Sequence, residues 1–180
     1  MKKVILFIAA SLDGYIADRR GGVGWLKGQD DDLEPSKSYD SFIKGVDTII
    51  MGWNTYRQVT EELAPGNWPY AGLTSYVVTH RNRPSTEAVK FTSENPGLLV
   101  THLKQQSGKD IWVCGGSSVV QQLMREQLID VFHISIIPTI LGGGVRLWDT
   151  LEHELELQLV EAQNYNGIAE LIYERRQRSC

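Results

Sequence analysis

Apolar positions along the chain fall into short runs separated by longer stretches with helical spacing. Val4, Ile5, Leu6, Phe7, Ile8, Ala9 and Ala10 form an almost unbroken run, closed by the turn-forming Ser11-Leu12-Asp13-Gly14. The run predicts a strand over residues 3–10 covered on both faces, as in a parallel sheet flanked by helices. Residues 46–51, 74–79 and 111–114 repeat the pattern, and each run stops at glycine or a small polar residue. Between these runs, residues 36–44, 55–63, 97–106 and 117–128 have the length and spacing of helices. In the last of them Val119, Val120, Leu123, Met124 and Leu128 make one apolar stripe. Strands that alternate with helices need crossover connections, hence a largely parallel sheet. The last third differs. Leu155, Leu157 and Leu159 alternate with Glu156 and Gln158, the period of a half-solvated strand, and Asn166-Gly167 supplies a hairpin turn before residues 168–174. The pattern predicts one α/β domain over residues 1–180, with a mostly parallel central sheet flanked by helices and an antiparallel C-terminal hairpin.

Composition narrows the function. A chain of 180 residues with 42% apolar residues and five tryptophans can bury a core, which excludes a disordered or fibrous protein. Eighteen basic against 22 acidic residues give a net charge of −4, and no basic block could track a phosphate backbone, so nucleic acid is disfavoured as a partner. No apolar run approaches the roughly 20 residues of a membrane span. Lys2-Lys3 before the first run has the charge order of a secretory signal, but the run is short and the turn after it suits a strand better. Cys114 and Cys180 imply no disulfide framework, so the expected location is cytoplasmic.

Several enzyme classes drop out next. His80, His102, His133 and His153 lie 22, 31 and 20 residues apart with no Cys-x-x-Cys or His-x-Glu beside them, so no metal site is expected. A nucleophile elbow, a Walker sequence and a dinucleotide fingerprint are all absent; Gly22-Val23-Gly24 is followed by Lys27 where the third glycine would stand. Asp30, Asp31, Asp32 and Glu34 read as a solvated acidic loop, Cys114 as a buried strand residue, and His133 as a structural histidine on a strand with Val131 and Ser135. Two strand-to-helix junctions carry more information: Ile50-Met51-Gly52-Trp53-Asn54-Thr55 and Trp112-Val113-Cys114-Gly115-Gly116-Ser117-Ser118. Glycine there lets backbone approach a ligand, and the following helix offers unpaired N–H groups to an anion. Both junctions would sit at the C-terminal edges of parallel strands, where open α/β sheets bind ligands. Two readings stay open: a split phosphate-binding cleft, or tight turns with Ser117 or Ser118 as an N-cap.

Four motifs in order over nearly the whole length carry a family resemblance. They are Ala9-Ala10-Ser11-Leu12-Asp13-Gly14-Tyr15-Ile16-Ala17, then Ile49-Ile50-Met51-Gly52-Trp53-Asn54-Thr55-Tyr56, then Val113-Cys114-Gly115-Gly116-Ser117-Ser118-Val119-Val120. The fourth runs from Leu128-Ile129-Asp130 through Ile136-Ile137-Pro138-Thr139-Ile140-Leu141-Gly142-Gly143-Gly144. With them the chain resembles the dihydrofolate reductase-like superfamily, most closely the reductase domain of bifunctional riboflavin-biosynthesis proteins. The resemblance implies a three-layer dihydrofolate reductase-like fold and a reduced nicotinamide dinucleotide, NADPH with NADH as the alternative, lying across the sheet. It places Ala10, Ile16 and Ala17 beside the nicotinamide, Gly52 and Thr55 at one phosphate helix, and Thr79, His80 and Arg81 at the adenosine end. Gly115, Gly116, Ser117, Ser118 and Val119 open the second helix. It also implies a loop ending at Trp25 over the site, a substrate pocket with Ser38 and Phe42, a role for Asp13 in positioning substrate or donating a proton, and a homodimer through the C-terminal strands.

Two departures matter. Folate enzymes carry a carboxylate on the first helix one turn before an aromatic residue, and here Ser38 precedes Phe42. Where the family often has arginine after the first junction glycine, this chain has Trp53, leaving Arg57, Arg81 or Arg83 to meet the extra phosphate of NADPH. The expected activity is hydride transfer to a small heterocyclic or carbonyl-type substrate, in its most specific form a ribosylaminopyrimidinone phosphate, for which Arg19, Arg20 and Lys27 could hold the phosphate. The alternatives are a nucleotide-binding protein of the same fold without turnover, a dihydrofolate reductase and a flavin-dependent reductase.

Overall fold

In chain order the elements are β1 (Val4–Ser11), β2 (Tyr15–Ala17), α1 (Ser38–Ile43), β3 (Val46–Gly52), α2 (Trp53–Gln58) continued by a wider π turn over Val59–Leu63, β4 (Thr74–Val78) and β5 (Val89–Thr92). They continue with α3 (Pro96–Lys104), β6 (Asp110–Gly115), α4 (Ser117–Arg125), β7 (Val131–Ile137), β8 (Val145–Arg146), β9 (Leu157–Tyr165) and β10 (Ile168–Arg175). The computed structural model describes residues 1–33 and 36–176, so Glu34 and Cys180 lie outside the described residues.

Eight strands form one sheet in the order β5-β4-β3-β6-β1-β7-β10-β9. β1 runs parallel to β6 and β7, β3 to β4 and β6, and β4 to β5. β10 is antiparallel to β7 and β9, as the last third of the sequence predicts. At the hairpin tip Asn166 and Gly167 have φ of 53° and 75°, the double left-handed turn that matches strand twist.

Alternation along β1 divides its side chains between two layers. Val4, Leu6 and Ala10 enter a core with the buried residues of α3 and α4. Phe7 packs on the opposite layer with Trp112, Phe42 of α1 and Tyr56 of α2. On α4 the predicted stripe of Val119, Val120, Leu123 and Met124 is buried, each contributing about 1.5–3 kcal/mol of apolar burial. Two expectations change. The first helix is shorter than predicted and has no fully buried residue. Leu157 and Leu159 are 37% and 50% exposed, because β9 is the edge strand of the sheet and among the described residues it is only partly covered.

The two ends of the parallel strands are finished differently. At the N-terminal end, carboxylates occupy the free backbone donors: Asp110 accepts from the Lys3 N–H, Asp130 from Val4 and Asp47 from Lys109. Lys2, 7% exposed, pairs with Asp47 at 2.9 Å. At the C-terminal end Asp13 plays that part for the loop after β7, whereas the glycine junctions after β3 and β6 have no such side-chain closure among the described residues.

Candidate functional site

The junctions after β3 and β6 meet. A Cβ atom added at Gly52 would lie 3.7 Å from the Gly116 backbone nitrogen and 3.5 Å from Val119 Cγ2. Added at Gly115 or Gly116, it would lie 3.8 or 3.2 Å from Thr55 Oγ1. Thr55 thus stands between two chain reversals from separate parts of the sequence. Gly115 has φ of 125°, a conformation for which glycine is suited.

Among the described residues no side chain caps the N-terminus of α2 or α4; the N-cap positions are Gly52 and Gly116. By contrast, Asn95 caps α3, accepting from Gly97 N–H at 2.8 Å and Leu98 N–H at 3.2 Å. Neither Ser117 nor Ser118 is the N-cap, and Ser118 Oγ instead accepts from Gln122 Nε2 at 3.3 Å. Val119 is 4% exposed with its side chain in the core, so it can offer a ligand only its backbone N–H. Two converging helix starts without caps leave amide donors and positive dipole ends aimed at one place, an arrangement that suits an anion.

The flanks agree with this geometry in part. The Arg81 and Arg83 guanidinium carbons lie 4.9 and 5.2 Å from the Trp53 ring centroid, so both cations reach the start of α2. Thr79, 9% exposed at the end of β4, accepts from the Arg81 N–H and shapes that turn, with His80 exposed between them. Ala10 is 1% exposed and turned into the α3 and α4 core, and Ala17 is also buried, with Ile16 packed against the same cluster. The residue of β1 on the open face is half-buried Ala9. Asp13 has both oxygens engaged: Ser11 Oγ and Leu141 N–H donate to Oδ1, and Gly142 N–H to Oδ2. The Ser11 hydroxyl, then these amides, hold its carboxyl below the usual range. Asp13 therefore tethers the loop after β7. Trp25 Nε1 donates to Gly22 O, closing its own loop, and Gln58 Nε2 ties that loop to α2 through Gly21 O. Arg19 likewise donates to Gly142 O.

On the α1 side of the sheet an aromatic layer borders the junctions. Phe42 stacks on Phe7 with centroids 4.3 Å apart, and Trp112 meets Phe42, Tyr39 and Tyr70 edge-on. Between Ile50 and Met51 of β3 the register with β6 shifts so that Cys114 becomes an extra residue in β6, a bulge that re-aims a side chain. Its Sγ lies 4.0 Å from Tyr70 Oη, and burial pushes the thiol up to about 12. Ser38 Oγ donates to Glu170 Oε1 at 2.8 Å. The carboxylate that α1 lacks is thus present beside it, delivered from β10. Neither Glu170 nor the Arg83 stack on Trp53 is evident in linear spacing, because each depends on strand order.

An apolar cavity of about 210 Å³ lies elsewhere, between α4, Phe132, Leu147 and Leu157. Among the described residues no group of three or more His, Cys, Asp or Glu is placed to hold a metal ion, and no helix is long and apolar enough to cross a membrane.

Residues 2–168 match the RibD C-terminal domain. The chain belongs to this family. As a RibD C-terminal domain protein it is 37% identical to the uncharacterized protein YwjB of Bacillus subtilis (strain 168), over 97% of this chain and 98% of that one. It superposes with a TM-score of 0.84, at 26% identity, on a protein of Shewanella sp. PV-4 described provisionally as a riboflavin-biosynthesis protein, covering 97% of this chain and 99% of the other. A diaminohydroxyphosphoribosylaminopyrimidine deaminase/5-amino-6-(5-phosphoribosylamino)uracil reductase of Thermotoga maritima gives a TM-score of 0.69 at 16% identity, a likeness of fold alone. That match covers 97% of this RibD C-terminal domain protein and 57% of the Thermotoga chain. The fold is of the dihydrofolate reductase-like type that the four motifs imply.

Proposed function

We propose that this RibD C-terminal domain protein is a reductase that uses NADPH, with NADH as the weaker alternative, to transfer a hydride to a small heterocycle of the pyrimidinone type. The observation that carries the reading is the meeting of the two uncapped junctions at Thr55. Backbone amides at Gly116, Ser117 and the start of α2 suit the pyrophosphate of a dinucleotide, since they are fixed donors that need no reorganisation on binding. Arg81 and Arg83, stacked on Trp53, suit the extra phosphate of NADPH. When bound, the reduced nicotinamide supplies the hydride. The protein's part is to orient the two rings and exclude water. Half-buried Ala9 offers a low floor for one ring, the aromatic layer around Phe42 a wall for the other, and the loop tied to Gln58 a cover.

Titration with NADPH and NADH, followed by loss of the reduced-nicotinamide absorbance with pyrimidinones, pterins, quinones and aldehydes, tests the reading. Failure of both nucleotides to bind at millimolar concentration refutes it. Binding without turnover on any of these substrates favours a nucleotide-binding protein. Pairing of two copies through β9 belongs to the same proposal, supported by exposed Leu157, Leu159 and Val160 on the edge strand of the sheet. Light scattering at the monomer mass overturns it.

A further inference from the structure

Glu170 is 5% exposed, yet no lysine or arginine pairs with it among the described residues. Its donors are neutral: Ser38 Oγ to Oε1 and Gln163 Nε2 to Oε2, each at 2.8 Å. A carboxylate has about four lone-pair directions, so about half its accepting capacity is unused. Beside it stands His133, 6% exposed, whose Nε2 has no hydrogen-bond partner among the described residues and lies 3.9 Å from Glu170 Oε2, too far for a hydrogen bond. Burial holds the imidazole below its ordinary pKa, against the pull of Glu170 and Glu161. A buried carboxylate with spare lone pairs next to a buried nitrogen without a partner is costly for the fold alone. An apolar residue at position 170 would avoid that cost.

Strand pairing says where this pair faces. Glu170 is the direct cross-strand partner of Ser135, and Ser135 of Ala9. Paired residues project from the same face, so the three stand in a row across about 10 Å of sheet. Glu170 closes one end of that row, while Ser135 and Ala9 are only half-buried. The element that meets Glu170 is α1, six residues long with none fully buried, and it reaches the carboxylate through the Ser38 hydroxyl, the contact that a ligand at Glu170 would have to displace.

We propose that Glu170, with His133 alongside, recognises the polar edge of the substrate, and that this substrate is a nitrogen heterocycle presenting N–H donors to the carboxylate. The inference rests on the reductase reading and deepens it by assigning the substrate-contact residue and the donor character of its ligand.

The test uses the full chain with saturating NADPH and two probes in a calorimeter: 2-aminopyrimidin-4-one, which carries ring-edge donors, and 1,3-dimethylpyrimidine-2,4-dione, which has none. The wild type should bind the first about tenfold or more tightly than the second, a gap of about 1.4 kcal/mol. Glu170→Gln should abolish the preference while leaving NADPH affinity within about twofold of the wild type. Equal binding of the two probes, no binding of the amino compound, or a preference that survives Glu170→Gln overturns the proposal. NADPH affinity is measured separately, so failure of the coenzyme to bind counts against the reductase reading and leaves the probe comparison to decide this one. Should Glu170→Gln not fold, nitrogen NMR of wild-type His133 decides: the Nε2 signal moves when the amino compound is added, and a static signal refutes the assignment.

Discussion

Replacing Gly116 with alanine isolates the meeting point of the two junctions. Its φ of −78° and ψ of −165° are extended backbone open to any residue, so the methyl group brings no dihedral penalty. It would lie 3.2 Å from Thr55 Oγ1, a contact that Thr55 must relieve by a few tenths of an ångström. Against this small strain, alanine removes some freedom from the unfolded chain, worth about 0.4–1 kcal/mol. The melting temperature should therefore change little. Ligand binding should change much more, because the methyl group occupies the gap between the uncapped ends of α2 and α4. A hydrogen bond from an amide to a charged phosphate oxygen is worth about 1.5–3 kcal/mol. Losing one such bond weakens NADPH binding by about ten- to 150-fold. Tryptophan fluorescence titration gives the dissociation constant, and circular dichroism gives the melting curve of the same sample. An unchanged melt together with affinity within about twofold of the wild type would falsify the placement of the phosphates.

Three further outcomes follow from the same geometry. Removing Arg81 and Arg83 together should weaken NADPH by about tenfold and leave NADH nearly unchanged; an equal loss for both nucleotides would show that the Trp53 stack does not meet the extra phosphate. With the Cys114 thiol pushed up to about 12 by burial, only about one molecule in ten thousand is thiolate at pH about 8. Iodoacetamide followed by peptide mapping should then leave Cys114 unmodified in the folded protein and modified in urea, and rapid labelling of the folded protein would contradict this. His133 is held below the ordinary histidine value of 6.5 by burial, so the unfolded chain takes up its proton first. Its contribution to stability is complete above about 6.5 and declines as pH falls toward the folded value. Urea melts across that range should show the decline, and His133→Gln should flatten it.

The parallel core was legible because its strands carry their burial in composition. A run such as Val4 to Ala10 has no polar face, and glycine at Gly52 and Gly115 marks where each strand gives way to a helix. The two junctions that the proposed function assigns to the dinucleotide were legible for the same reason, since they are built from backbone at those breaks. The cap assignment could not be read: Ser117 and Ser118 have the right chemistry to cap α4, and only the structure gives the N-cap position to Gly116. The half-solvated strand predicted at Leu157 and Leu159 is present as β9, but both leucines are largely exposed, because alternation reports two unlike faces without saying that anything covers the apolar one.

The proposed substrate side stayed hidden for a deeper reason. On β10 Glu170 sits between Ala169 and Leu171, a pattern in which a charged residue on an alternating strand means the solvated face. What reverses that meaning is the order of strands, which puts β10 beside β7 and brings α1 over its face. No local window contains Ser38, His133, Gln163 and Glu170 together; they span 132 residues from Ser38 to Glu170. Because each member occurs singly, each has a bland local explanation. Only their joint burial with an incomplete set of hydrogen bonds separates a recognition site from an ordinary polar contact. That incompleteness makes the assignment testable by a ligand that either does or does not bring the missing donors.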